Sequence, residues 1–137
     1  MITELRGMTW DHPRGLDSLV ASNQLLKSSL GVSVTWDARS LLAFGDQHIS
    51  EFYKDYDVMV IDHPHVPDAV HAGAVVEFER MASIAQLEEL SRTSVGQSHN
   101  SYLYQGKHWA LAIDTAAQVS AFRADKSASA PVFWSAS

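Results

Sequence analysis

Three apolar runs in the first sixty-five residues end on an aspartate: Met8-Thr9-Trp10-Asp11, Val34-Thr35-Trp36-Asp37 and Met59-Val60-Ile61-Asp62. The aspartates lie 26 and 25 residues apart, about one strand-helix unit of a parallel sheet. Parallel strands of an open α/β sheet bind ligands just beyond their carboxyl ends. The spacing therefore predicts that Asp11, Asp37 and Asp62 converge on one crevice. Trp10 and Trp36 would add flat apolar faces for stacking. Arg39 would donate to two oxygens at once. Aspartates beside tryptophans suit a sugar, which has apolar C–H faces and a rim of hydroxyls. The competing reading makes the tryptophans core residues and the aspartates helix caps.

Other clusters are less specific. Asp62-His63-Pro64-His65, with His71 downstream, contains metal-type ligands, but its spacing matches no zinc motif. No metal or other cofactor is expected. No nucleophile motif, P-loop or dinucleotide fingerprint occurs in the sequence. Tyr102, Trp109 and Asp114 form a second group, and Asp114 and Gln118 are apt hydroxyl partners.

Elements that could position these residues are readable from periodicity. Residues 5–10 read as a strand, and Asp11 to Gly15 as a turn punctuated by Pro13 and Gly15. Leu16, Leu19, Val20, Leu26 and Leu30 fall at helical spacing, and Gly31 supplies the stop. Val32, Val34 and Trp36 alternate with polar residues, which predicts a second strand. Ile49, Phe52, Tyr53 and Tyr56 share one helical face, with Gly45-Asp46 breaking the region in two. Val58 to Ile61 reads as a buried strand. The expected fold class is thus α/β, a three-layer open sheet of β-α-β-α-β type. Further on, Asp68 is a candidate cap for a short helix, and Val75 to Phe78 for a short strand. Ser83 to Gln86 fits a capping box. Thr93 to Ser101 reads as a polar loop, followed by a hairpin around Gln105-Gly106-Lys107. The tail from Lys126 is rich in Ser and Ala, and its Pro131 and Trp134 suggest truncation.

At 137 residues the chain fits one domain, and 46% hydrophobic residues allow a core. A net charge of −6 argues against nucleic acid and against an anionic membrane surface. No apolar run reaches membrane-spanning length, so no membrane insertion is expected. The N-terminus carries no signal-peptide pattern. With no cysteine, disulfides and thiolate metal sites are excluded.

Three segments together resemble a known family: Leu5 to His12, Tyr56 to Pro64, and Gly106 to Gln118. They are similar to extracellular solute-binding proteins of family 1, the substrate-binding components of bacterial ABC importers for carbohydrates. That resemblance implies lobe 1 of a periplasmic-binding-protein-like (class II) fold, periplasmic or extracellular. Residues 1–112 would be most of the first α/β lobe. Residues 113–137 would start the crossing toward a missing second lobe. The solute, a sugar or polyol, would sit at the interlobe cleft, and the partners would be the importer's membrane subunits. Carried over, the cleft would use Trp10, Asp11, His12, Asp37, Arg39, Asp62, His63, Pro64, Tyr102, Asp114 and Gln118. None would be catalytic, and the chain would not be an enzyme. The alternative is a small α/β metal-assisted phosphoryl-transfer enzyme, with Asp11, Asp37 and Asp62 around Mg²⁺. A third reading is an interaction domain whose open edge strand pairs with another copy.

Overall fold

The structure is a computed structural model that describes residues 1–40, 48–116 and 122–126. Strand β1 (Thr3–Trp10) runs parallel to β2 (Val32–Arg39) over its whole length, with Thr3 opposite Val32 and Trp10 opposite Arg39. On its other side β1 pairs with β3 (Val58–Met59), also parallel. The sheet order is β2-β1-β3, so the first strand is central. The chain is mixed α/β with a small parallel sheet, as the strand-helix spacing predicts.

Helix α1 (Pro13–Leu30) connects β1 to β2. Pro13 opens it, where a missing N–H costs nothing. His12 caps it, its Nδ1 accepting the Arg14 N–H at 3.1 Å. Gly31 stops it in the left-handed conformation (φ 63°), its N–H reaching the Leu26 and Lys27 carbonyls. The expected buried face is only partly buried. Leu16, Leu19 and Leu26 are half-buried, whereas Val20 and Leu30 are exposed. Among the described residues the sheet has three strands, too few to cover a wider stripe of an eighteen-residue helix.

Alternation along β1 divides the packing between two faces. Gly7 and Thr9 point toward α1. The Thr9 hydroxyl donates to the Gly15 carbonyl at 3.0 Å, and the Trp36 ring lies over Gly7. Met8 points the other way, into a cluster with Ile49, Phe52 and Ala69. Ala69 belongs to α2 (Val66–His71). Asp68, expected as a cap, instead lies within the first turn of α2.

The second helical region is different from its periodicity. Ile49–Glu51 and Tyr53–Asp55 are two successive 3₁₀ turns, closed by bonds such as Phe52 N–H to Ile49 O and Tyr56 N–H to Tyr53 O. The Gly45-Asp46 break lies outside the described residues. Val58 to Ile61 is likewise shorter as a strand than expected, although the Val60 N–H still reaches the Met8 carbonyl at 2.8 Å. Val75 to Phe78 forms no strand, and Phe78–Arg80 is a 3₁₀ turn. Helix α3 (Ile84–Thr93) carries the expected capping box between Ser83 and Gln86. The hairpin pairs β4 (Leu103–Tyr104) with β5 (Lys107–His108). Its turn residues Gln105 and Gly106 both have positive φ, as a two-residue turn of type I′ requires.

The free edge of β2 is occupied from within the chain. The Asn23 carboxamide on α1 donates to the Val34 carbonyl and accepts from the Val34 N–H, both at 2.8 Å. One amide side chain thus takes two of the backbone groups that an added strand would use. Asn23→Ala is expected to lower stability by about 1–3 kcal/mol, because the buried Val34 backbone loses both partners. It should also raise the self-associated fraction. Thermal denaturation and sedimentation velocity on both proteins check the two effects. An unchanged melting temperature would remove Asn23 from this role.

Candidate functional site

Beyond the end of β3 lies a half-open hollow of about 460 Å³. Asp62, His63 and Pro64 form one side, directly after the strand. Gln97, Ser98, Ser101 and Tyr102 form a second, and Asp114, Thr115 and Ala116 a third. Five of the residues expected at a site therefore meet: Asp62, His63, Pro64, Tyr102 and Asp114.

Pro64 sits in a 3₁₀ turn (His63–His65) that leads into α2, and this fixes the backbone beside Asp62. Asp114 is held by Arg14, whose Nη2 lies 2.5 Å from its carboxylate, and by the Thr115 N–H at 2.9 Å. Tyr102 is half-buried, and its hydroxyl donates to the Ile61 carbonyl at 3.3 Å. Burial first, then the charges of Asp62 and Asp114, push the Tyr102 phenol above its ordinary value. The phenol stays protonated, and with its hydrogen directed to Ile61 its oxygen is left as an acceptor. Two carboxylates and this phenol accept hydrogen bonds, while the Ser98, Ser101 and Thr115 hydroxyls and the Gln97 amide can donate. Such a mixture matches a ligand whose hydroxyls both donate and accept.

The remaining expected residues lie elsewhere. Asp37 is the clearest correction. Strand β2 continues for two residues beyond it, so Asp37 stands within the ladder opposite Met8, not at a tip. Its carboxylate accepts from Arg6 Nη2 at 2.8 Å. The neighbouring Tyr56 phenol is raised by burial and by its hydrogen bond to Asp37. Asp37 and Asp11 do not line the hollow, so the three aspartates do not converge on one crevice. Among the described residues no three His, Asp or Glu side chains form a group able to hold a metal. The triad needed by the phosphoryl-transfer alternative is thus not assembled by Asp11, Asp37 and Asp62.

Asp11 is exposed at the tip of β1, where its N–H reaches the Arg39 carbonyl at 2.6 Å. His12 serves as the α1 cap. Trp10 is half-buried against Gly15 and the Met8 cluster. The Arg39 guanidinium stacks 4.3 Å from the centre of the Phe52 ring. Gln118 lies outside the described residues. Leu111 to Ile113, an apolar run that also ends on an aspartate, forms no strand, yet it delivers Asp114 to the hollow.

Sequence reasoning missed Arg14, Gln97, Ser98, Ser101 and Thr115. The Ser-, Gly- and Asn-rich composition of 93–101 was a usable signal for the second wall. Nothing local marks Arg14, whose partner lies 100 residues away in sequence. Among the described residues no helix is long and apolar enough to cross a membrane. The chain matches no model of a known protein family, and no curated protein matches it.

Proposed function

We propose that this chain is a solute-binding lobe, the substrate-binding component of a bacterial ABC importer, with a sugar or polyol as its ligand. The observation that carries this reading is the hollow beyond β3, where Asp62, Tyr102 and Asp114 gather as hydroxyl acceptors. The parallel β2-β1-β3 order and a ligand-sized space past a strand end are consistent with lobe 1 of a class II periplasmic-binding-protein-like fold. In that role the protein would act outside the membrane and do no chemistry. It would select a solute, and the importer's membrane subunits would read the ligand-bound state.

Isothermal titration against monosaccharides, disaccharides and polyols, with and without Mg²⁺, tests the proposal. A half-open hollow encloses one side of a ligand, so the expected Kd lies in the range of about 10⁻⁴ to 10⁻³ M. Asp62→Asn should weaken binding at least about tenfold, since a charge-assisted hydrogen bond contributes about 1.5–3 kcal/mol. Asp37→Asn, outside the hollow, should leave Kd unchanged. Absence of heat with every solute, or equal losses in the two variants, would reject the reading. Binding that requires Mg²⁺ would favour the phosphoryl-transfer class instead.

A further inference from the structure

The second wall of the hollow, residues 97–102, has a back face that the solute-binding reading does not use. Gln97, Ser98, Ser101 and Tyr102 face the hollow, while His99 between them is turned inward and only 4% exposed. Its ring packs on His108 of the hairpin, with centroids 4.4 Å apart and planes tilted by 39°. His108 is anchored in turn by Glu79. Its backbone N–H reaches both carboxylate oxygens, at 3.0 and 3.2 Å, and its Nδ1 lies 3.1 Å from one of them. An ionised carboxylate only accepts, so His108 carries its hydrogen on Nδ1. The Nε2 atoms of His99 and His108 are both buried and have no hydrogen-bond partner.

That arrangement penalises a proton on His99. It would put a charge on a buried ring that is stacked against another imidazole and whose Nε2 has no acceptor. Other charges do not relieve it. The wall itself carries no ionisable side chain besides His99 and Tyr102. From the 78–80 turn Glu79 is engaged with His108, and Arg80 is exposed. From β5 Lys107 pairs with Glu77 at 3.7 Å. Burial first, then His108, holds His99 below the ordinary histidine value of 6.5. Burial pushes the Glu79 carboxyl up, but the hydrogen bonds from His108 outweigh it and leave Glu79 below 4.5.

We propose that the His99–His108 stack is an acid-sensitive latch that holds the 97–102 wall of the hollow in place and lets it go when His99 takes up a proton. Most of the wall's bonds are local: Ser98 N–H reaches Val95 O at 3.1 Å, Ser101 N–H and its hydroxyl both reach Gln97 O at 2.9 Å, Asn100 Nδ2 reaches Gln97 Oε1 at 3.1 Å, and Tyr102 N–H reaches His99 O at 3.4 Å. Ties to other segments run from the Tyr102 hydroxyl to Ile61 O and from Trp109 N–H to Tyr102 O, both at 3.3 Å. A unit bonded mainly within itself opens locally before the sheet does. Because the released state binds more protons than the latched one, latching is complete above the ordinary histidine value. It weakens as pH falls toward the lowered value of His99. Glu79 stays ionised throughout that window. Acidification would therefore loosen the side of the hollow that carries Tyr102, and a bound solute would be released.

The latch rests on the hollow being a binding site for its consequence, but not for its test. Amide exchange and histidine ring signals are followed by NMR on the ligand-free chain from about pH 7 to pH 5. His99 should titrate below its ordinary value. Protection of the Ser101, Tyr102 and Trp109 amides, corrected for intrinsic rates, should fall about tenfold, while that of β1 stays constant. His99→Gln, a neutral residue of similar reach, should make the wall amides indifferent to pH. The latch is refuted if His99 titrates at or above the ordinary value, if wall protection is flat, or if His99→Gln shows the same fall. Should that variant not fold, the wild-type titration and exchange decide. A failure of sugars to bind would count against the solute-binding reading and leave these outcomes untouched.

Discussion

Replacing Gly7 by valine is expected to destabilise the fold by about 3 kcal/mol or more, at the upper end of what overpacking a core costs. Gly7 is buried in the central strand. A Cβ there would lie 2.4 Å from Cε3 of Trp36 and 2.6 Å from Cζ3. Valine has a high strand propensity, so a local argument would predict stabilisation. The contact decides the sign, because the indole lies across the backbone in the space that any side chain would fill. Trp36 could make room only by turning about its own side-chain bonds, since its backbone is held by pairing with β1 from Val32 to Arg39. Gly15 poses the same conflict at the start of α1. Alanine would ordinarily favour the helix by about 1 kcal/mol. Here its Cβ would fall 2.4 Å from the Trp10 ring. Urea denaturation followed by circular dichroism measures both. A Gly7→Val midpoint equal to that of the wild type would show that Trp36 relaxes freely.

These two glycines also show how far the sequence could be read. Each beside an aspartate, Trp10 and Trp36 suit equally a stacking platform for a ligand and a place in the core. Their rings lie over glycines, as the core reading has it, but no sequence rule pairs Trp36 with Gly7 before the register is known. The elements themselves were legible where local chemistry decides them. Pro13 and Gly31 bound α1, alternation marks β2, and Ser83 with Gln86 starts α3. The spacing of Ile49, Phe52, Tyr53 and Tyr56 misled because three- and four-residue steps are satisfied equally by consecutive 3₁₀ turns and by a helix. Asp37 failed for another reason. An aspartate looks like the end of an apolar run, but a ladder ends where backbone pairing ends, and Ala38 and Arg39 still pair with β1. Asp62, His63 and Pro64 do lie past a strand end, because β3 stops short of them and leaves their loop to turn over the sheet end. Tyr102 and Asp114 joined them through contacts made across the fold, to Ile61 and to Arg14.

Met8→Ala is expected to cost about 2–5 kcal/mol, the range for truncating a buried long side chain to alanine. Met8 is 2% exposed and lies at the centre of the cluster with Ile49, Phe52 and Ala69. Met59, Val60, Ile61 and Tyr56 pack around that cluster. The cavity would open between β1 and the segments that carry Asp62 toward the hollow. A domain with roughly 5–15 kcal/mol of stability loses a large share of it through such a change. The fold has little to compensate with, since β3 pairs with β1 only from Gly7 to Met8, extended by the Asp57 N–H to Arg6 O and Val60 N–H to Met8 O bonds, both at 2.8 Å. Met8→Leu conserves most of the volume and should cost less than about 1.5 kcal/mol. The two substitutions separate packing from pairing, because neither touches the backbone bond from Val60 N–H to Met8 O. If Met8→Ala unfolds early in denaturant while Met8→Leu follows the wild type, side-chain volume beneath β3 is what holds the hollow's first wall. Equal losses in both would assign that role to the thioether's shape, and equal stability in all three would show that β3 does not depend on this cluster.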